Sequence, residues 1–283
     1  MCNEVPMGRR TLAYTVIVLT FPLLTAVPVP ADAAPWQTLD QGLSLGDFSV
    51  KTDRSGMGCG ITILRIDPLY YAFRLLAASE HEARPRTIRQ WSRDFSLVAA
   101  INASMYRGDD YLKSTGFMRN YRHKNNPNIN RSFGAFMVFN PVDPSLPEVQ
   151  IIDRRLQKDW KDRIEGYHSV VQNYRMVSFG NKRGWPQQSQ RHGAAAIGMD
   201  TENRVMFILS RAPLSTHDLI HTLLSLPINL QNAMYVEGGP QAALHLLAGD
   251  RKRTWIGICE PNLVASDYVF EFDIPNVIGI TKK

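Results

Sequence analysis

The chain has 283 residues, 44% of them hydrophobic, and a formal charge of +6 at pH 7. That is an ordinary globular composition, and the positive balance suits an anionic substrate or a polyanionic setting. The basic residues are scattered and no nucleic-acid motif occurs, so nucleic acid is not expected as a partner.

Residues 1–34 have the form of an export signal. Arg9 and Arg10 precede an uncharged apolar run from Leu12 to Val27, and Ala31-Asp32-Ala33 follows as a small-x-small cleavage sequence. The alternative is an uncleaved anchor, but Pro22 interrupts the run, which is short for a span of about 20 residues. The expectation is therefore an exported protein, periplasmic or secreted, with no stable membrane span after cleavage. Arg9 and Arg10 cancel Glu4 and Asp32, so residues 35–283 retain the +6 charge. About 250 residues can bury one full core. Cys2 leaves with the leader, and Cys59 and Cys259 remain. In an exported protein they are expected to form a disulfide, with two packed free thiols as the alternative.

In chain order, residues 35–50 read as an entry segment and a first strand. Alternating or apolar runs predict strands at Ile61–Asp67, Tyr71–Ala77 and Leu97–Ile101, the last delivering Asn102-Ala103-Ser104-Met105-Tyr106. Residues 87–94 predict a short amphipathic helix. Residues 107–132 are long, polar and rich in Arg, Lys, Asn and Tyr, which suggests a functional loop. Strands follow at Phe133–Asn140 and Val149–Asp153, a charged helix over 154–166, and a strand at Val170–Val177 carrying Gln172 and Asn173. After a polar loop over 181–191, Ala194–Met199 and Val205–Ser210 form a hairpin about Asp200-Thr201-Glu202-Asn203. The clearest helix is Leu214–Leu226, capped by Ser215 with Asp218 as a capping-box partner. Ala233–Val236 reads as a buried strand, Gly238-Gly239 as a tight turn, and Pro240 with the good helix formers Ala242–Leu247 as a short helix. Strands at Ile256–Cys259, Tyr268–Phe272 and Val277–Ile280 complete the chain. The expected fold class is α+β, a single domain over residues 35–283 with a mixed β-sheet core and a few packing helices.

The familiar catalytic motifs are missing. There is no P-loop, nucleophile elbow or dinucleotide fingerprint, and Pro85 stands where a zinc-protease helix beginning at His81-Glu82 needs its second His. The histidines have no metal-ligand spacing, so neither a metal nor another cofactor is expected. Asn102-Ala103-Ser104 and Asn130-Arg131-Ser132 match the glycosylation sequon, a short pattern common by chance. What remains is a set of polar residues at strand ends: Asn102, Gln172, Asn173, Arg191, His192 and Glu237. Each alone reads as an ordinary structural polar group, and Glu237 as a solvated turn carboxylate. Together they suit an anionic sugar, with Arg for phosphate, amides for hydroxyls and one carboxylate for chemistry.

At these residues the chain resembles the phosphodiester glycosidase family, which includes the lysosomal enzyme that removes N-acetylglucosamine from phosphodiester-capped mannose. The matching blocks keep the family order: Asn102-Ala103-Ser104-Met105-Tyr106, Thr115-Gly116-Phe117, Phe133-Gly134-Ala135-Phe136, Gln172-Asn173, Arg191 to Gly198, then Val236-Glu237-Gly238-Gly239-Pro240-Gln241, and finally Ile274 to Gly279. The chain departs from the family where Glu237 replaces an Asp, Gln241 a Ser, and Ser104 a Gly. The resemblance implies a hydrolase for a glycosyl phosphodiester, with Glu237, Arg191 and Asn102 catalytic. It further implies Gln172, Asn173, Gly238, Gly239, Ser104, Thr115 and His192 as substrate-binding residues. Lys113, Arg119 and Arg122 are candidates for drawing in a polyanion, with solvated loop charges as the plainer reading. The alternative functions are a non-catalytic binder of anionic glycans and an envelope assembly factor. The oligomeric state stays open.

Overall fold

The computed structural model describes Met1 and residues 36–50, 59–179, 182–183, 185–259 and 271–283. Apart from Met1, the expected signal peptide, and most of the expected strand at Tyr268–Phe272, lie outside the described residues. Ala34–Lys283 is one compact unit.

Its architecture is two packed sheets. The larger runs β1 (Trp36–Asp40), β2 (Leu43–Ser49), β3 (Gly60–Ile66), β13 (Val205–Leu214), β12 (His192–Asp200), β14 (Leu230–Gly238), β10 (Tyr167–Ser178), β6 (Met118–Asn120) and β7 (His123–Asn126). Off this path, β8 (Ala135–Pro141) pairs with β10 and with β9 (Val149–Asp153), and β11 (Lys182–Arg183) pairs with β10. The smaller sheet runs β16 (Arg251–Ile256), β15 (Ala243–Ala248), β5 (Ala99–Asn102), β17 (Asn276–Lys282) and β4 (Tyr71–Ala77). Neighbouring strands pair antiparallel in both sheets, as between β12 and β14 and between β5 and β17. The expected α+β class with a mixed sheet is thereby corrected. The protein is mostly β, with short α-helices at α1 (Ile88–Asp94), α2 (Trp160–Glu165) and α3 (Thr216–Ser225).

The reason lies in layering. Facing residues of the two sheets, among them Phe73, Ile101, Phe207, Val236, Leu244 and Ile278, form the central core. The outer face of the large sheet is covered by Leu219, Ile220 and Leu223 of α3, which pack with Ile63, Ala196 and Ile208. Trp91 and Ile88 of α1 cover the outer face of the small sheet against Leu76, Ala100 and Val277. Strands buried on both faces read as continuous apolar runs, so period-two alternation is lost from them. β13 is an example: Val205, Phe207 and Leu209 enter the central core while Met206 and Ile208 face α3.

Two helix expectations change. Of residues 242–247, Ala243–Leu247 lie in β15, which pairs with both β16 and β5, so pairing overrides their helix propensity. Of the charged segment 154–166, only Trp160–Glu165 is helical. The polar segment 107–132 contains the short strands β6 and β7. Ser215 caps α3 by accepting from the Asp218 N–H at 3.0 Å, while a reciprocal capping box forms at α1 between Thr87 and Gln90. Cys59 and Cys259 are joined in a disulfide with Cα atoms 5.3 Å apart.

Candidate active site

The site is built at the C-terminal end of β14. In the β12–β14 ladder, Ala196 pairs with Tyr235 and Ala195 with Glu237, so Val236 is an extra residue. Such a bulge re-aims the side chains that follow it. Glu237 is only 8% exposed. Its Oε1 accepts from the Gly238 N–H at 2.9 Å, and its Oε2 is buried without a partner. Burial pushes its pKa up to about 7, opposed only by the Gly238 hydrogen bond.

Two glycines make the turn possible. A Cβ at Gly238 would collide with the Tyr235 hydroxyl and press on the His192 ring. Gly239 has φ +67°, the left-handed region, in open surroundings. Tyr235, Tyr106 and Tyr111 surround the carboxylate. Burial first, with the Glu237 charge added, raises the pKa of Tyr106 and of Tyr235; for Tyr111 burial again leads, with Tyr106, Asp273 and Glu237 contributing. Tyr106 and Tyr111 pack with ring centroids 4.3 Å apart, and the Tyr111 hydroxyl donates to the Asp273 carbonyl.

The end of β5 is fastened to this turn. Asn102 donates from Nδ2 to the Gln241 carbonyl at 3.0 Å and accepts at Oδ1 from the Ala243 N–H at 2.7 Å. Asn173 of β10 donates to the Ala103 carbonyl at 2.8 Å, and its Oδ1 is buried and unpaired. Asn276 of β17 accepts from the Ser104 N–H at 2.9 Å, and its Nδ2 is also unpaired. Asn173 and Asn276 therefore bring unsatisfied buried polar atoms to Ala103 and Ser104, just after β5, and Glu237 brings another to the turn after β14. Buried groups of this kind ordinarily have partners, so they are suited to the hydroxyls and oxygens of a polyol.

The other expected residues divide. His192 lies against Gly238, with Nδ1 2.8 Å from the Gly193 carbonyl oxygen. Ser104 Oγ lies 2.5 Å from Ser114 Oγ, and Thr115 Oγ1 donates to the Met105 carbonyl at 3.3 Å, so both organise the loop after β5. Gln172 is fully engaged with backbone: Oε1 accepts from Phe117 and Asn130, and Nε2 donates to the carbonyls of Asn130 and Phe133. Arg191 is not drawn to Glu237. Its side chain is 55% exposed and its partner is Asp218, 3.5 Å away. Arg119 binds Glu165 and the carbonyls of Ile164 and Tyr167, which makes it a structural tie, and Lys113 pairs with Asp110.

Tyr106, Tyr111, Tyr235 and Asn276 also stand at the candidate site, and the sequence does not single them out. Tyr106 and Tyr235 are each two positions from a selected residue, Ser104 and Glu237, but nothing in the sequence shows that they face one carboxylate. Among the described residues, no group of three or more His, Cys, Asp or Glu side chains is placed to hold a metal ion. No described helix is long and apolar enough to cross a membrane.

A buried carboxylate poised near neutral pH, amid aromatic rings and unpaired amide groups, has the equipment of a carbohydrate-directed hydrolase. The family model for phosphodiester glycosidases matches residues 95–281, and the chain belongs to that family. Among solved structures it is similar to a hypothetical protein from Synechocystis, with TM-score 0.58 and 14% identity over 89% of this chain. The chain spans 65% of that protein's length. It is also similar to the catalytic domain of zebrafish N-acetylglucosamine-1-phosphodiester alpha-N-acetylglucosaminidase auto-inhibited by its pro-peptide, with TM-score 0.56 and 12% identity, covering 89% of this chain and 87% of that one. At these identities the likeness is one of fold. No curated protein sequence matches the chain.

Proposed function

We propose that the protein is an exported hydrolase that cleaves a sugar-1-phosphodiester in an envelope or extracellular glycan, with residues 1–34 as its cleaved leader. The observation that carries this reading is Glu237: a buried carboxylate, one oxygen held by Gly238 and the other unpaired, in a member of the phosphodiester glycosidase family. The Cys59–Cys259 disulfide supports an oxidising destination.

In the reaction, the bond between the anomeric carbon and the phosphate oxygen breaks, and the phosphate monoester departs with the electron pair. A phosphate monoester is a weak base, with a second pKa of about 6, so its departure does not require a proton from the protein. Glu237 acts in its ionised form, either taking a proton from the attacking water or attacking the sugar itself before water releases it. Asn102 positions this carboxylate through the turn it clamps. Asn173 and His192 meet sugar and phosphate oxygens, the Gly238 N–H keeps Glu237 in place, and Arg191 leaves Asp218 to pair with the phosphate. Ser104, Thr115 and Gln172 hold the chain between β5 and β8 in place.

The test is release of free sugar and phosphate monoester from N-acetylglucosamine-1-phosphodiester and related glycosyl phosphodiesters. Wild type is expected to turn over, with kcat/KM rising as pH passes through about 7, the value to which burial moves Glu237. Glu237→Gln is expected to abolish turnover. A variant as active as wild type would overturn the role of Glu237. If no phosphodiester is cleaved but the same compounds bind, the protein is a glycan binder.

A further inference from the structure

A cleft of about 430 Å³ lies beside β8–β10 and is lined by arginines and aromatic rings. Its size falls within the roughly 300–1,000 Å³ range of small-molecule sites. Arg131, Arg154, Arg155 and Arg175 line it, and among the described residues no carboxylate does. Two of these arginines are preset. The Arg154 guanidinium donates to the carbonyls of Asn130 and Phe133 at 3.1 and 2.9 Å and sits 4.9 Å from the Trp160 ring centre. Arg175 donates to Asp153 at 3.0 Å, while its Nε is buried and unpartnered. The other two, Arg131 and Arg155, are exposed at the rim, and neither guanidinium has an ion-pair partner among the described residues.

The rings give the cleft a second property. Trp160 stacks on Phe136 with planes 13° apart, which fixes its orientation. Tyr174 lies between Phe133 and Trp185, with centroids 4.2 and 5.0 Å away. Trp185 then approaches Tyr235 at 5.8 Å, and Tyr235 abuts Gly238. A row of rings thus leads from the cleft to the turn that carries Glu237. Aromatic faces suit the apolar faces of a ring-shaped ligand, and unpaired guanidinium groups suit its carboxylate, sulfate or phosphate oxygens.

We propose that this cleft is a subsite for an anionic sugar unit, so that the substrate is an acidic glycan extending from Glu237 past Trp185. This rests on the glycosidase reading for its connection to Glu237, but binding in the cleft can be measured without turnover.

The experiment is calorimetric titration, with tryptophan fluorescence alongside, of wild type, Glu237→Gln and the double variant Arg131→Ala/Arg155→Ala. The probes are a galacturonic acid tetrasaccharide, a neutral galactose tetrasaccharide and inorganic phosphate. Wild type and Glu237→Gln are expected to bind the acidic tetrasaccharide about tenfold or more tightly than either other probe, with a fluorescence change and a loss of affinity in high salt. The double variant, whose changes are at exposed positions, is expected to lose that preference while cleaving a short glycosyl phosphodiester as wild type does. Equal binding of acidic and neutral tetrasaccharides, or an unchanged double variant, would overturn the subsite. Phosphate binding as tightly as the acidic tetrasaccharide would overturn the part played by the rings. Selective binding together with an inactive wild type would leave the subsite standing and remove the hydrolase reading.

Discussion

Between about pH 4.5 and 6.5, two buried side chains pull stability in opposite directions. Glu237 has its pKa raised from 4.5 to about 7, so the folded state binds more protons than the unfolded one and stability falls as pH rises across that interval. His245 of β15, buried and 2.8 Å from Thr254 Oγ1, has its pKa lowered from 6.5 to about 4, chiefly by burial and then by Arg89 and Lys252. Its contribution is complete above pH 6.5 and is lost as pH falls towards 4. Each is worth about 3 kcal/mol at full extent, and where the intervals overlap the two slopes offset. Glu237→Gln removes one of them. Urea unfolding of the variant should show stability climbing by about 1.4 kcal/mol per pH unit between pH 4.5 and 6.5, where wild type stays nearly level. Above pH 7 the variant should be the more stable protein by up to about 3 kcal/mol. Equal pH profiles for the two proteins would show that Glu237 titrates as a solvated carboxylate. A group held in an unfavourable charged state is a stability cost of the kind commonly found where activity demands it.

At the scale of elements, the site depends on how β5 and the turn after β14 are held together. Asn102 supplies both hydrogen bonds of that clamp, and each has a backbone partner beyond Gly239. Asn102→Ala leaves the Ala243 N–H and the Gln241 carbonyl without it. The expected cost is about 2–4 kcal/mol in unfolding free energy, and a fall in kcat larger than any change in KM, because Glu237 loses its setting rather than a substrate contact. Asn102→Asp should do little better, since a carboxylate can accept from Ala243 but cannot donate to Gln241. Denaturant melts and steady-state kinetics of the two variants check this; a fall confined to KM would make Asn102 a substrate contact instead. The same residues show what is readable in sequence. β4 and β9 have the expected boundaries, because apolar runs ended by turn residues give both type and length. The ends of β5 and β14, with Asn102, Glu237 and Gly238, are legible because polar groups there stand out against apolar runs, whereas Asn173 lies mid-strand in β10. β15 is not legible as a strand, since Ala and Leu favour helix locally and only its partners β16 and β5 decide the matter. The one local hint is the two-residue Gly249-Asp250 turn, with Gly249 at φ +57° between the paired residues Ala248 and Arg251. The extra residue Val236, which sets the direction of Glu237, leaves no trace in composition or period. Nor does the capture of Arg191 by Asp218, which depends on where α3 lies.

At the scale of the molecule, the two sheets share one core, and the disulfide ties the chain just before β3 to the chain just after β16. Loss of such a bond typically costs about 2–5 kcal/mol, the entropic estimate being near the upper figure for a loop this long. Thermal melts with and without reductant, and of Cys59→Ser/Cys259→Ser, should show that loss as a lower Tm, and an unchanged Tm would mean that the crosslink adds nothing to the packed sheets. The crosslink also has a bearing on timing. Its two sulfurs are 200 positions apart in sequence, and of the strands described only β17 follows the second. The bond therefore cannot form on a nascent chain until almost every strand has been synthesised. A product that stops short of residue 259 can never carry it, so oxidation marks a polypeptide that has passed that point.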